Sequence, residues 1–167
     1  MKIQNLRRLL LPIAWLALAS ATACMTASAR SVPDMALAPP KDVHVESAWV
    51  RAAPPGAMML AGYMTLRNDG HAPAVFKSAQ SDVFGMVELH KSVIVNGVTT
   101  MRAAGDQVIP AGGVLPIAPG GFHLMLMEPK RALKPGDQVH FRLHFADGTA
   151  LDVIAPVSAE APAGTTR

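Results

Sequence analysis

Four side chains in this 167-residue sequence have the types and spacing to hold a metal ion: His90, Met101, His123 and Met125. Imidazole nitrogen and thioether sulfur are both uncharged donors. A thioether offers little to Mg²⁺, Ca²⁺ or Mn²⁺ and contributes poorly to a Zn²⁺ site, whereas it suits Cu(I); imidazole suits either oxidation state of copper. Two histidines and two methionines would leave bound Cu(I) with a single net positive charge. The one cysteine, Cys24, lies close to the N-terminus. The His₂Cys arrangement of blue copper, and the electron transfer it supports, is therefore not expected.

Such donors must be brought together by strands. Asn96-Gly97 between two apolar runs is a hairpin signal, because both residues tolerate the positive φ of a type I′ turn. A two-residue loop sets Val95 against Val98, hence Ser92 against Met101 and His90 against Ala103. Opposed residues, and residues two apart on one strand, point to one side of a sheet, so His90 and Met101 form a diagonal pair on one face. In Phe122-His123-Leu124-Met125-Leu126-Met127, alternation puts His123, Met125 and Met127 on one face and the aliphatic and aromatic residues on the other. The loop Pro119-Gly120-Gly121 is expected to bring the two ligand pairs together, with Phe122 and nearby prolines as an apolar rim. Taken alone, either pair is better explained without a metal, since methionine commonly fills core gaps and a lone histidine on a strand is more often a surface or hydrogen-bonded residue. Met127 reads as core filler, and Met58, Met59, Met64 and Met86 read as packing or loop residues, although Met58-Met59 beside Pro54-Pro55-Gly56 could lie near the site. His140 and His144 read as separate surface positions, His44 and His71 as solvated.

The rest of the chain supports an all-β domain. Short β-branched and apolar runs are separated by Asn68-Asp69-Gly70, Asn96-Gly97, Pro119-Gly120-Gly121, Pro135-Gly136-Asp137 and Asp147-Gly148, which predicts a sandwich or barrel of about nine short strands. Fourteen prolines along the chain disfavour long helices. The domain is placed at residues 43–157, between a Pro/Ala-rich linker at 30–42 and a tail at 158–167. Residues 1–29 read as a secretory signal peptide: a basic start at Lys2, Arg7 and Arg8, an apolar run from Leu9 to Ala19 too short to span a bilayer, then small residues. Cleavage after Ala29 is expected; cleavage before Cys24, leaving it as a lipid attachment point, is the alternative. Removing residues 1–29 takes three of the 15 basic residues and no acid, leaving 12 against 12 acids. The persistent basic face that nucleic-acid binding needs is thus missing. With no disulfide framework, an exported domain must be held by its core.

The spacing His90-x10-Met101-x21-His123-x-Met125 resembles the signature of the periplasmic copper chaperone family PCu(A)C. So do Ala48-Trp49-Val50-Arg51-Ala52, Pro55-Gly56, Tyr63-Met64-Thr65-Leu66-Arg67-Asn68, Val87-Glu88-Leu89-His90, Asn96-Gly97-Val98, Met101-Arg102 and Pro119-Gly120-Gly121-Phe122-His123-Leu124-Met125-Leu126. The resemblance covers roughly residues 44 to 157. It implies a cupredoxin-like β-sandwich or barrel, not an enzyme, that binds one Cu(I) in the periplasm and hands it to envelope copper sites. The implied acceptor is the binuclear copper centre of cytochrome c oxidase subunit II, with a thioredoxin-like copper chaperone as a possible partner; a monomer is expected. Some relatives carry a His/Met-rich tail for a second copper ion, which residues 158–167 lack. The competing readings are copper storage or tolerance, a copper redox enzyme, and a metal-free β-sandwich assembly module.

Overall fold

The structure, a computed structural model, describes residues 42–162. The expected signal peptide with Cys24, nearly all of the expected linker and the last residues of the expected tail lie outside them. Ten strands follow one another without a helix among the described residues: β1 (Val43–Arg51), β2 (Met59–Asn68), β3 (Ala74–Gln80), β4 (Phe84–Val95), β5 (Val98–Ala103), β6 (Gln107–Ile109), β7 (Val114–Ile117), β8 (Phe122–Pro129), β9 (Gln138–Phe145) and β10 (Ala150–Ser158). The sequence pattern anticipates nine of these. The tenth, β6, has three residues, too few for a period-2 signal to emerge.

The strands form one hydrogen-bonded path, β5-β4-β8-β2-β1-β10-β9-β3-β6, with β7 paired to β2. A parallel pairing of β1 with β10 joins its halves; every other pairing is antiparallel. Both halves feed one core. Met64, Leu66, Leu124 and Leu126 come from one side and Phe76, Val139, Phe141 and Leu143 from the other, all essentially sealed from solvent. Alternation accounts for this. In β9, Val139, Phe141, Leu143 and Phe145 are buried while Gln138 and His140 are exposed, the inward/outward pattern of a sandwich sheet.

One buried polar side chain ties the loops at one end. Asn68 Nδ2 donates to the carbonyls of Ala72 (2.8 Å), Ile109 (3.2 Å) and Pro110 (3.2 Å), and its Oδ1 accepts from Gly70 N at 3.0 Å. The amide thereby holds the β2–β3 turn to the β6–β7 loop.

Candidate metal centre

The β4–β5 hairpin has the expected turn. Asn96 and Gly97 adopt φ of 52° and 77°, and the register runs Val95↔Val98, Ser92↔Met101, His90↔Ala103. Met101 therefore stands on the His90 face, diagonal to it and largely solvent-exposed. The second pair is positioned by β8. Leu124 and Leu126 are fully buried, so the strand must turn His123, Met125 and Met127 to the other face. Just before β8, Gly121 N donates to Ala118 O at 3.0 Å and Gly120 takes φ of 82°, as a type II turn requires at its third position.

The two halves meet by direct strand pairing. β4 and β8 are antiparallel neighbours with His90↔His123 and Glu88↔Met125 in register. The imidazole rings are neighbours, with centroids 6.0 Å apart and planes tilted by 46°. The glycine loop only leads into β8, with Ser92 N donating to Gly121 O at 3.0 Å. The close approach comes from the ladder.

Each ring is tied at one nitrogen and bare at the other. His90 Nε2 lies 2.9 Å from Glu88 Oε2, and His123 Nδ1 lies 3.4 Å from the Gly121 carbonyl. A carboxylate and a carbonyl can only accept, so those nitrogens carry the hydrogens. The ring nitrogens left free to donate a lone pair to a metal are then His90 Nδ1 and His123 Nε2. Both of these atoms are buried and lack any hydrogen-bond partner. An unpartnered buried polar atom is costly, on the order of 1–3 kcal/mol, and coordination to a metal ion would offset that cost. A second group orienting each ligating histidine is the usual construction of a metal site. Neither Glu88 nor the Gly121 carbonyl is singled out by the ligand spacing; the legible signal is that Glu88 lies two residues before His90 and so shares its face.

Among the described residues no group of three His, Cys, Asp or Glu side chains is disposed to hold a metal ion. The thioethers of Met101 and Met125 share the face of the two histidines. Beyond the histidines the same face continues through Tyr63 and Trp49, stacked at 4.8 Å between ring centroids with the Arg51 guanidinium 5.8 Å from the Trp49 ring.

Several expectations need correction. Phe122 packs against the core and pairs with Lys91, whose ammonium lies 5.0 Å from its ring; alternation puts it on the face opposite His123, so it is no wall of the site. Met127 is half-buried on the outer face, not core filler. Met64 alone among the seven methionines of the described residues is fully buried. His144 is half-buried, its Nε2 without a hydrogen-bond partner, so it is not a plain surface position. His44, by contrast, is exposed as expected, and lies beside Asp69 at 3.1 Å and Glu46 at 3.4 Å.

Fold and face together define a cupredoxin-like β-sandwich that presents paired imidazoles among thioethers. The LpqE-like family, which carries a lipoprotein description, matches residues 43–157, and the chain belongs to it; the resemblance to PCu(A)C proteins is thereby upheld. A relative in Leifsonia xyli subsp. xyli with a lipoprotein designation, Lxx21020, is 38% identical over 137 residues, 80% of this chain and 81% of that protein. Among solved structures, Cu(I)-DR1885 of Deinococcus radiodurans is similar at 32% identity and a TM-score of 0.59, covering 73% of this chain and 81% of that one. The copper-bound PCuAC domain of PmoF2 shares the fold at 22% identity and a TM-score of 0.59, covering 71% of this chain and 94% of that one.

Proposed function

We propose that this protein is an exported copper chaperone that carries one Cu(I) between His90, Met101, His123 and Met125 and releases it to copper sites of the bacterial envelope, foremost the binuclear centre of cytochrome c oxidase subunit II. The observation that carries this reading is the pair of buried, partnerless ring nitrogens on two histidines whose rings lie 6.0 Å apart across the β4–β8 ladder, with Met125 two residues from His123 and Met101 diagonal to His90. Similarity to a protein solved with Cu(I) supports the choice of ion. The lipoprotein designations of the family and of the Leifsonia relative support export, and of the two processing points they support the one at Cys24.

The chemistry is ligand exchange, with the ion as cargo and no reaction catalysed. His90 Nδ1 and His123 Nε2 hold copper from two rigid, adjacent strands. Met125 adds a donor from the same ladder. Met101 lies on the edge strand β5, exposed and on a side chain with three rotatable bonds, so it can swing onto the ion or away from it. A neutral thioether leaves more readily than a thiolate would, and its departure opens a coordination position to a cysteine or histidine of the acceptor. The edge position makes that opening accessible to a docking protein.

Competition against a Cu(I) chelator tests the site. The variant Met101→Ala/Met125→Ala is expected to lose the competition that the parent protein wins; an unchanged affinity would sink the assignment. Copper transfer to the isolated acceptor domain, followed by its optical spectrum, tests the role. Transfer to no copper protein would leave storage as the function.

A further inference from the structure

Three further methionines line up beside the site, and their chemistry is not used by it. Met127 of β8 is in register with Met86 of β4 on one side and with Met59 of β2 on the other. All three are on the outer face. Their immediate neighbours in the same ladder, Leu60, Leu126 and Val87, face the core, so alternation turns Met59, Met127 and Met86 outward. Opposed Cβ atoms in an antiparallel pair stand about 5 Å apart, within reach of three flexible thioethers converging on one point. The row lies two residues along β8 from Met125, about 7 Å.

Core filling does not explain these side chains. Met59 and Met86 are 57% and 48% exposed and Met127 is half-buried. Outward positions such as Met59 and Met86 would ordinarily be occupied by polar residues on a sheet face open to water. The row contains only sulfur donors, with no carboxylate and no imidazole, so it discriminates against hard cations and against Zn²⁺.

We propose that Met59, Met86 and Met127 form a second, weaker, three-thioether site for a soft monovalent ion, Cu(I), that serves as the entry and exit step for the histidine-methionine site. The placement of that function rests on the reading of the first site, while binding by the three sulfurs does not. An ion held by three neutral thioethers exchanges freely, and from there Met125 is the next donor along the strand. A track of thioethers thus leads from the exposed β2 edge of the row to the buried imidazole nitrogens.

Methionine-methyl NMR with Ag(I), and then with Cu(I) under reducing anaerobic conditions, provides the test on the full protein. The expected result is two equivalents bound. The first shifts the methyls of Met101 and Met125, the second those of Met59, Met86 and Met127, and the Met64 methyl stays fixed as a reporter of the intact core. Met59→Leu/Met86→Leu/Met127→Leu, close in volume and mild in its expected effect on folding, loses the second equivalent and keeps the first. Met101→Leu/Met125→Leu does the converse, so failure of either site is seen separately. If the triple variant does not fold, Met127→Leu alone removes the central donor and should abolish the second equivalent. Binding of one equivalent only, or a second equivalent that survives these substitutions, overturns the proposal.

Discussion

At the scale of single residues, the arrangement of hydrogens on two imidazoles decides which atoms would bind copper in the proposed site. Glu88 is half-exposed and His90 is 14% exposed at the side chain, so the carboxylate meets a ring that is mostly withdrawn from water. By accepting from Nε2 it leaves Nδ1 as the donor atom. Glu88→Ala is expected to weaken Cu(I) binding by about tenfold, the lower end of the roughly 10–100-fold range for orienting partners of ligands, because Glu88 is itself open to solvent. Chelator competition measures the loss, and an unchanged far-UV spectrum separates it from unfolding. Asn68 is a residue of the opposite kind, remote from the ligands and structural. Asn68→Ala leaves several carbonyls and the Gly70 amide without their partner, and should cost about 1–3 kcal/mol in urea denaturation with Cu(I) affinity retained.

At the scale of elements, a hairpin and a ladder position the donors. Gly97 has φ of 77° with open space around it, so the barrier to a larger residue is backbone conformation and not a clash. Gly97→Ala should destabilise the protein by about 1 kcal/mol. It should also weaken Cu(I) binding, because Met101 reaches the site only through the β4–β5 register; a variant with unchanged affinity would show that Met101 is dispensable. The turn before β9 supplies a pH-dependent element. The backbone N–H of Lys134 and then the Arg131 guanidinium hold the Asp137 carboxyl below its usual range. A lowered pKa means that the folded state favours the ionised form, so this contribution is present above the ordinary aspartate pKa and fades as pH falls through the folded-state value. Asp137→Asn should therefore flatten the acid limb of a plot of stability against pH, read from thermal denaturation at graded pH.

At the scale of the whole molecule, the site occupies one outer face of a sandwich whose core is complete without it. Histidines with partnerless nitrogens are tolerated because the core of both half-sheets carries the stability. Copper should consequently add stability as a ligand of the native state: about 2.7 kcal/mol at a free concentration one hundred times Kd. Calorimetry should show an upward shift in Tm on loading that disappears in His90→Ala/His123→Ala. Lipid attachment at Cys24 would tether the domain to the membrane, and Cys24→Ser is then expected to move the protein from the membrane fraction to the soluble envelope fraction. Retention at the membrane would reject that attachment.

Much of this was legible in the residues alone. Alternation assigned the faces of β8, because burying Leu124 and Leu126 leaves His123 and Met125 no other side, and Asn96-Gly97 specified the hairpin register, because few residue pairs accept its two positive φ angles. These are local signals, set within a few residues. Strand partnership is not local. That β8 pairs with β4 so that His90 meets His123, that the same ladder aligns Met59, Met127 and Met86, and that Phe122 belongs to the core were decided by long-range packing of the two half-sheets, which no short stretch of sequence encodes. The proposed metal-binding chemistry was therefore written in side-chain types, while the closeness of His90 and His123 was a product of the tertiary fold, since only burial of both apolar faces in one core selects which strands lie side by side.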